Sequence, residues 1–85
     1  MSQAAAAKDE VMLKVREHLS TELEVPADQI TRDAHFRDDL DADSLDLYEL
    51  VMELEDTYGI TMSEEQAAKI ETVGQAVDFV AERLP

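Results

Sequence analysis

The hexapeptide Asp41-Ala42-Asp43-Ser44-Leu45-Asp46 sets one hydroxyl among three carboxylates. Four kinds of chemistry could use such a serine. As part of a calcium loop, Asp39, Asp41 and Asp43 alternate like the first three ligands of an EF-hand, but that loop needs glycine sixth and glutamate twelfth. Here those positions hold Ser44 and Leu50, so no metal site is assigned, although loose divalent binding to the acids stays open. As a nucleophile, Ser44 would need a base, an orienting group and, in a hydrolase elbow, glycines two residues either side. Ala42 and Asp46 stand there, and neighbouring carboxylates oppose an alkoxide. His35 and His18 read as surface or packing residues, so no catalytic residue is assigned.

As a helix start, Asp43 suits the N-cap and Asp46 can reach back to it in a capping box. The fourth use is attachment. A hydroxyl on the first turn of a helix lies where backbone N–H groups and the positive dipole end favour a phosphate, although the surrounding acids oppose it. Such a serine must face solvent and be reached by another enzyme.

Positioning that serine requires a helix from Ser44 to about Tyr58. Leu47, Leu50, Val51, Leu54 and Tyr58 fall within one arc of its wheel, and Gly59 can close it in the left-handed conformation. An earlier helix carries Val11, Val15, Leu19 and Leu23, with Asp9 and Glu10 at its positive end, and must stop before Pro26. Between the two, Ile30, Ala34, Phe36 and Leu40 share no period and mark a long loop pinned by apolar anchors. A short helix from Ser63, with Gln66 three residues on, and a last one opened by Thr72 and Gln75 complete the pattern. Strand signals are absent. The expected fold is all-α: a small antiparallel four-helix bundle with a long loop between helices 1 and 2 and a short third helix. Residues 1–8 read as a flexible tail and residues 9–85 as one domain.

Eighty-five residues suffice for one small core, and without cysteine that core depends on packing alone. No stretch approaches the ~20 apolar residues of a membrane span. The net charge of −14 argues against nucleic acid and for basic protein surfaces as partners. Residues 38–56 hold nine of the 21 acids and no Lys or Arg. Leu45, Tyr48 and Met52 lie roughly 130° round the second helix from the centre of its core stripe. They cannot share that core, and an apolar strip ringed by charge is what a transient protein interface looks like.

The runs Asp38–Ile60, "DDLDADSLDLYELVMELEDTYGI", and Lys69–Val80, "KIETVGQAVDFV", resemble acyl carrier proteins of bacterial fatty acid synthesis, most specifically in Asp43-Ser44-Leu45-Asp46 followed by Glu49-Leu50-Val51-Met52. The resemblance runs from about Val11 to Leu84. It implies that Ser44 carries 4'-phosphopantetheine, installed by a separate holo-synthase from coenzyme A, and that the arm's thiol holds acyl chains as thioesters. It also implies that Asp43, Leu45, Asp46, Tyr48, Glu49, Met52, Glu55 and Asp56 dock basic patches on synthesis enzymes. Phe36, Leu54, Met62, Ala67 and Ile70 would line the acyl pocket. A cytoplasmic monomer is expected, with no enzyme activity of its own.

Two positions depart from the family pattern: Asp41 stands where glycine is usual, and Tyr48 is larger than the usual apolar residue. A polyketide carrier is the nearest alternative. From another class, an acidic calcium-responsive adaptor would use the same strip without a prosthetic group.

Overall fold

The termini of the helices are written in short-range chemistry, and the chain obeys it. A computed structural model describes residues 3–84, and side chains from residue 7 onward. It contains α1 (Gln3–Leu23), a single 3-10 turn (Ala27–Gln29), α2 (Ser44–Tyr58), α3 (Glu64–Ala68) and α4 (Val73–Arg83). Three helices open on reciprocal capping boxes: Asp43 with Asp46, Ser63 with Gln66, and Thr72 with Gln75. Each box satisfies two N–H groups that a helix start would otherwise leave without partners. Gly59 closes α2 at φ 66°, a left-handed conformation that costs glycine no Cβ clash.

Helix α1 differs from its expected extent. Its backbone is helical from Gln3, so Asp9 and Glu10 stand in its second turn rather than at its positive end. The alanines at 4–7 are the strongest helix formers and carry the helix back beyond the apolar period. Met1, Ser2 and Pro85 of the expected tail and domain lie outside the described residues. At the other end α1 stops at Leu23, before Pro26, with Glu24 at φ 57°.

The core follows from the stripes. Val11, Val15 and Leu19 of α1 meet Leu50 and Leu54 of α2 and Val73, Ala76, Val77 and Val80 of α4, all buried. Helix α1 packs chiefly on α4 and secondarily on α2. The long loop is held by the anchors expected of it, Ile30, Ala34, Phe36 and Leu40, and also by Ala42. Its carbonyls do further work at the start of α4: Val73 N–H donates to Ala34 O at 3.0 Å and Gly74 N–H to Arg32 O at 2.9 Å. Phe36 N–H donates to Glu71 O at 3.0 Å. A loop tied this way to a helix start is fixed backbone, and it fixes the approach to Ser44. The only pairing of extended backbone among the described residues is a lone bridge between His35 and Thr72.

Candidate functional site

Ser44 is the first residue of α2 and is exposed. Its position is set from both sides. On the C-terminal side, Asp43 Oδ1 accepts from Asp46 N–H at 2.9 Å, and Asp46 Oδ2 accepts from Asp43 N–H at 3.1 Å. On the N-terminal side, buried Ala42 donates its N–H to Phe36 O at 2.7 Å. Immediately before Ala42, Asp41 takes φ 55°, the left-handed conformation that a side chain disfavours. Glycine would adopt that conformation without a Cβ clash.

Ser44 Oγ accepts a hydrogen bond from Arg37 Nη2 at 3.0 Å. The cation offsets part of the acid field. Asp43's carboxyl is held below the ordinary carboxylate range, foremost by the Asp46 N–H it accepts, with Arg37's charge contributing. A phosphate attached at Ser44 would therefore meet a guanidinium and a helix N-terminus as well as aspartates, which lessens the conflict expected from the acids alone. The solvent-facing hydroxyl, the cation and the helix start fit a phosphodiester.

Beside Ser44 opens a cavity of about 400 Å³, walled mainly by apolar groups of α2, α3 and the loop residue Phe36. Phe36, Leu54, Met62, Ala67 and Ile70 all line it, and Ser44 and Arg37 stand on the same wall. The five expected pocket residues are thus brought together although they come from four separate stretches of chain. Leu47 and Leu50 of the core stripe line it too.

Along α2 the second stripe is exposed: Leu45 and Tyr48 at 63 % each and Met52 at 46 %. Among the described residues, neither α1 nor the loop covers them. Asp43, Glu49 and Asp56 are exposed beside this strip, whereas Asp46 and Glu55 are half-buried. Glu55 has a structural task as well, its Oε2 accepting from Met62 N–H at 2.9 Å.

One cluster escaped sequence reasoning. Glu22, near the end of α1, brings one carboxyl oxygen within 4.8 Å of one from Asp46 and one from Glu49. Hydrogen bonding to Glu49 foremost, then burial and the charges of Glu49 and Asp46, push Glu22 up to about 7. His18 Nε2 lies 2.6 Å from Glu22 Oε2, buried and in an orientation that forms no hydrogen bond. Arg37 was missed as well. Its seven-residue separation from Ser44 lies across an aperiodic loop, and its only signal was to be the lone Lys or Arg between Arg32 and Lys69.

The family model for the phosphopantetheine attachment site matches residues 13–80. The chain is 47 % identical over 75 residues to the acyl carrier protein of Rubrobacter xylanophilus, covering 88 % of this chain and 93 % of that one. The chain belongs to the acyl carrier proteins. A solved structure of acyl carrier protein from Enterococcus faecalis superposes with a TM-score of 0.78 at 45 % identity, covering 89 % of this chain and 96 % of that one. An acyl carrier protein is a carrier rather than an enzyme, and the prosthetic group of its domain is covalently attached 4'-phosphopantetheine. Membership replaces the adaptor reading, which needed no prosthetic group. Among the described residues, no helix of this acyl carrier protein is long and apolar enough to cross a membrane.

Proposed function

We propose that Ser44 bears the 4'-phosphopantetheine arm and that the protein delivers fatty acyl intermediates to the enzymes of fatty acid synthesis. The observation that carries this reading is the placement of one exposed hydroxyl at the mouth of an apolar cavity and at the head of an exposed apolar strip. When bound, the arm supplies the thiol that this cysteine-free chain lacks, and with it the thioester chemistry.

The chain's own residues do the remaining work. Ser44 Oγ would form the ester bond to the phosphorus of coenzyme A's phosphopantetheine as the anhydride bond at that phosphorus breaks and adenosine 3',5'-bisphosphate leaves, and the serine proton would pass to the visiting holo-synthase. The capping box of Asp43 and Asp46 holds Ser44 on the first turn, within reach of that enzyme. Asp43, Asp46, Glu49, Glu55 and Asp56 steer basic patches on partner enzymes, and Leu45, Tyr48 and Met52 supply the desolvated contact. Such a surface gives fast, weak, salt-sensitive docking, which suits a shuttle. Phe36, Leu54, Met62, Ala67 and Ile70 shelter the acyl chain. We assign the carrier domain to residues 9–85, with residues 1–8 as an appended tail, and read the protein as a cytoplasmic monomer.

Incubation of the unmodified protein with coenzyme A and a holo-synthase is expected to add the mass of one phosphopantetheine. The Ser44→Ala protein should gain none while keeping its helical circular dichroism and melting temperature. No added mass on the wild type would overturn the assignment. Fatty acid and polyketide roles separate by rate: reconstituted fatty acid synthesis enzymes should turn over the loaded protein faster than polyketide enzymes do.

A further inference from the structure

We propose that Arg37 is a positioning residue for the prosthetic arm, holding its phosphodiester at the mouth of the cavity between α2 and α3. The inference rests on Ser44 being the attachment point and adds a second residue, from the loop before α2, to the site.

Three observations carry it. First, Arg37 is surrounded by acids in sequence, with Asp38, Asp39, Asp41, Asp43 and Asp46 all close, yet among the described residues it forms no ion pair with any of them. Its guanidinium turns instead to the serine hydroxyl at 3.0 Å. A guanidinium has five N–H donors in a planar fork, and a neutral hydroxyl oxygen uses one of them. The remaining donors suit the non-bridging oxygens of a phosphodiester, which bind charge-assisted and in the same plane.

Second, the backbone under Arg37 is fixed. The preceding residue, Phe36, is buried, donates to Glu71 O at 3.0 Å and accepts from Ala42 N–H at 2.7 Å. The cation therefore stands on a fixed backbone, so engaging an anion costs side-chain freedom and little further backbone freedom. Third, Arg37 and Ser44 share the wall of the 400 Å³ cavity. A phosphate gripped between them starts the arm on the cavity's side of α2 rather than out along the exposed strip. Arg37 is also the one Lys or Arg from residue 33 to residue 68, so no other such cation in that stretch can take its place.

Phosphorus NMR on the intact holo-protein tests this, comparing wild type, Arg37→Gln and Arg37→Lys, each checked by intact mass for complete loading. In the wild type, the phosphodiester resonance should be displaced from that of free phosphopantetheine and relax as a restrained group. In Arg37→Gln it should move to the free position and become mobile, and Arg37→Lys should retain part of the restraint. Identical phosphorus shifts and relaxation in fully loaded wild type and Arg37→Gln would overturn the role of Arg37 while leaving Ser44 as the attachment site. Failure of the wild type to load at all would overturn the attachment reading itself. If only Arg37→Gln resists loading, wild type alone decides. The Arg37 side-chain N–H signals should shift and sharpen between apo and holo forms while those of Arg16, Arg32 and Arg83 stay put; no change at Arg37 would reject the proposal.

Discussion

The two faces of α2 carry the same kinds of residue to opposite ends. Leu50 is 2 % exposed and Leu45, five residues earlier on the same helix, is 63 % exposed. Nothing intrinsic to leucine separates them. The face with Leu47, Leu50 and Leu54 meets α1, α4 and the pinned loop, whereas no described element covers the face with Leu45, Tyr48 and Met52. Burial of one stripe holds the bundle together. The second stripe contributes little to folding, and its contact area stays free for another protein. On the proposed function, the two apolar sides of α2 serve two different partners, the rest of the bundle and a docking enzyme.

Breaking the buried side should have the largest effect. Leu50→Ala removes a packed side chain and leaves a cavity, which should lower unfolding free energy by ~2–5 kcal/mol in urea titrations. A loss below about 1 kcal/mol would mean that the stripe is not the core.

The next largest effect concerns the place where the two faces communicate. Glu22 of α1 reaches the carboxylates of Asp46 and Glu49, and its pKa is raised from 4.5 to about 7. The folded state therefore keeps a proton that the unfolded chain has lost between these pH values, so stability is present below the window and falls as pH rises through it. Above it the native cluster must bear its full charge. Glu22→Gln should raise stability by ~1–2 kcal/mol at pH 8 and leave it unchanged at pH 4. An equal effect at both pH values would rule out proton sharing in the cluster.

Asp41 sharpens the comparison at the entrance to α2. With φ at 55°, replacement by glycine relieves a disfavoured conformation and removes one charge from a crowded acid patch. Asp41→Gly should stabilise by ~0.5 kcal/mol, less than the full left-handed penalty because glycine also loosens the unfolded chain. A lower melting temperature would contradict this. Smallest in stability is the exposed side itself: Leu45→Ala should stay within ~0.5 kcal/mol of wild type, since exposed positions rarely matter to folding. Its effect should be on the rate at which partner enzymes process the loaded protein. Loss of stability comparable to that of Leu50→Ala would erase the distinction between the faces.

What was legible in the sequence was local. Asp43 with Asp46, Ser63 with Gln66 and Thr72 with Gln75 each lie three residues apart, and Gly59 ends its helix by itself, so four helix boundaries could be read directly. The stripes repeat at the helical period, and so the division of α2 into two faces was readable as well. The loop anchors were visible as lone apolar residues in a polar stretch. What was not legible depends on how helices pack. Glu22 meets Asp46 and Glu49 only because α1 lies against α2, a contact that spans more than twenty residues of chain. Arg37 finds Ser44 only because Phe36 and Ala42 are tied together across the loop, and aperiodic backbone carries no spacing rule. The start of α1 was missed for another reason. Alanines extend a helix through backbone propensity without contributing to an apolar period.

The most direct test incubates the protein with coenzyme A and a holo-synthase, digests it with trypsin and fragments the peptide released by cleavage after Arg37 and Lys69. That peptide contains two serines, Ser44 and Ser63, both at starts of helices. The account predicts one added phosphopantetheine, with every fragment retaining the modification containing Ser44. Modification at Ser63, or on any other peptide, would contradict it.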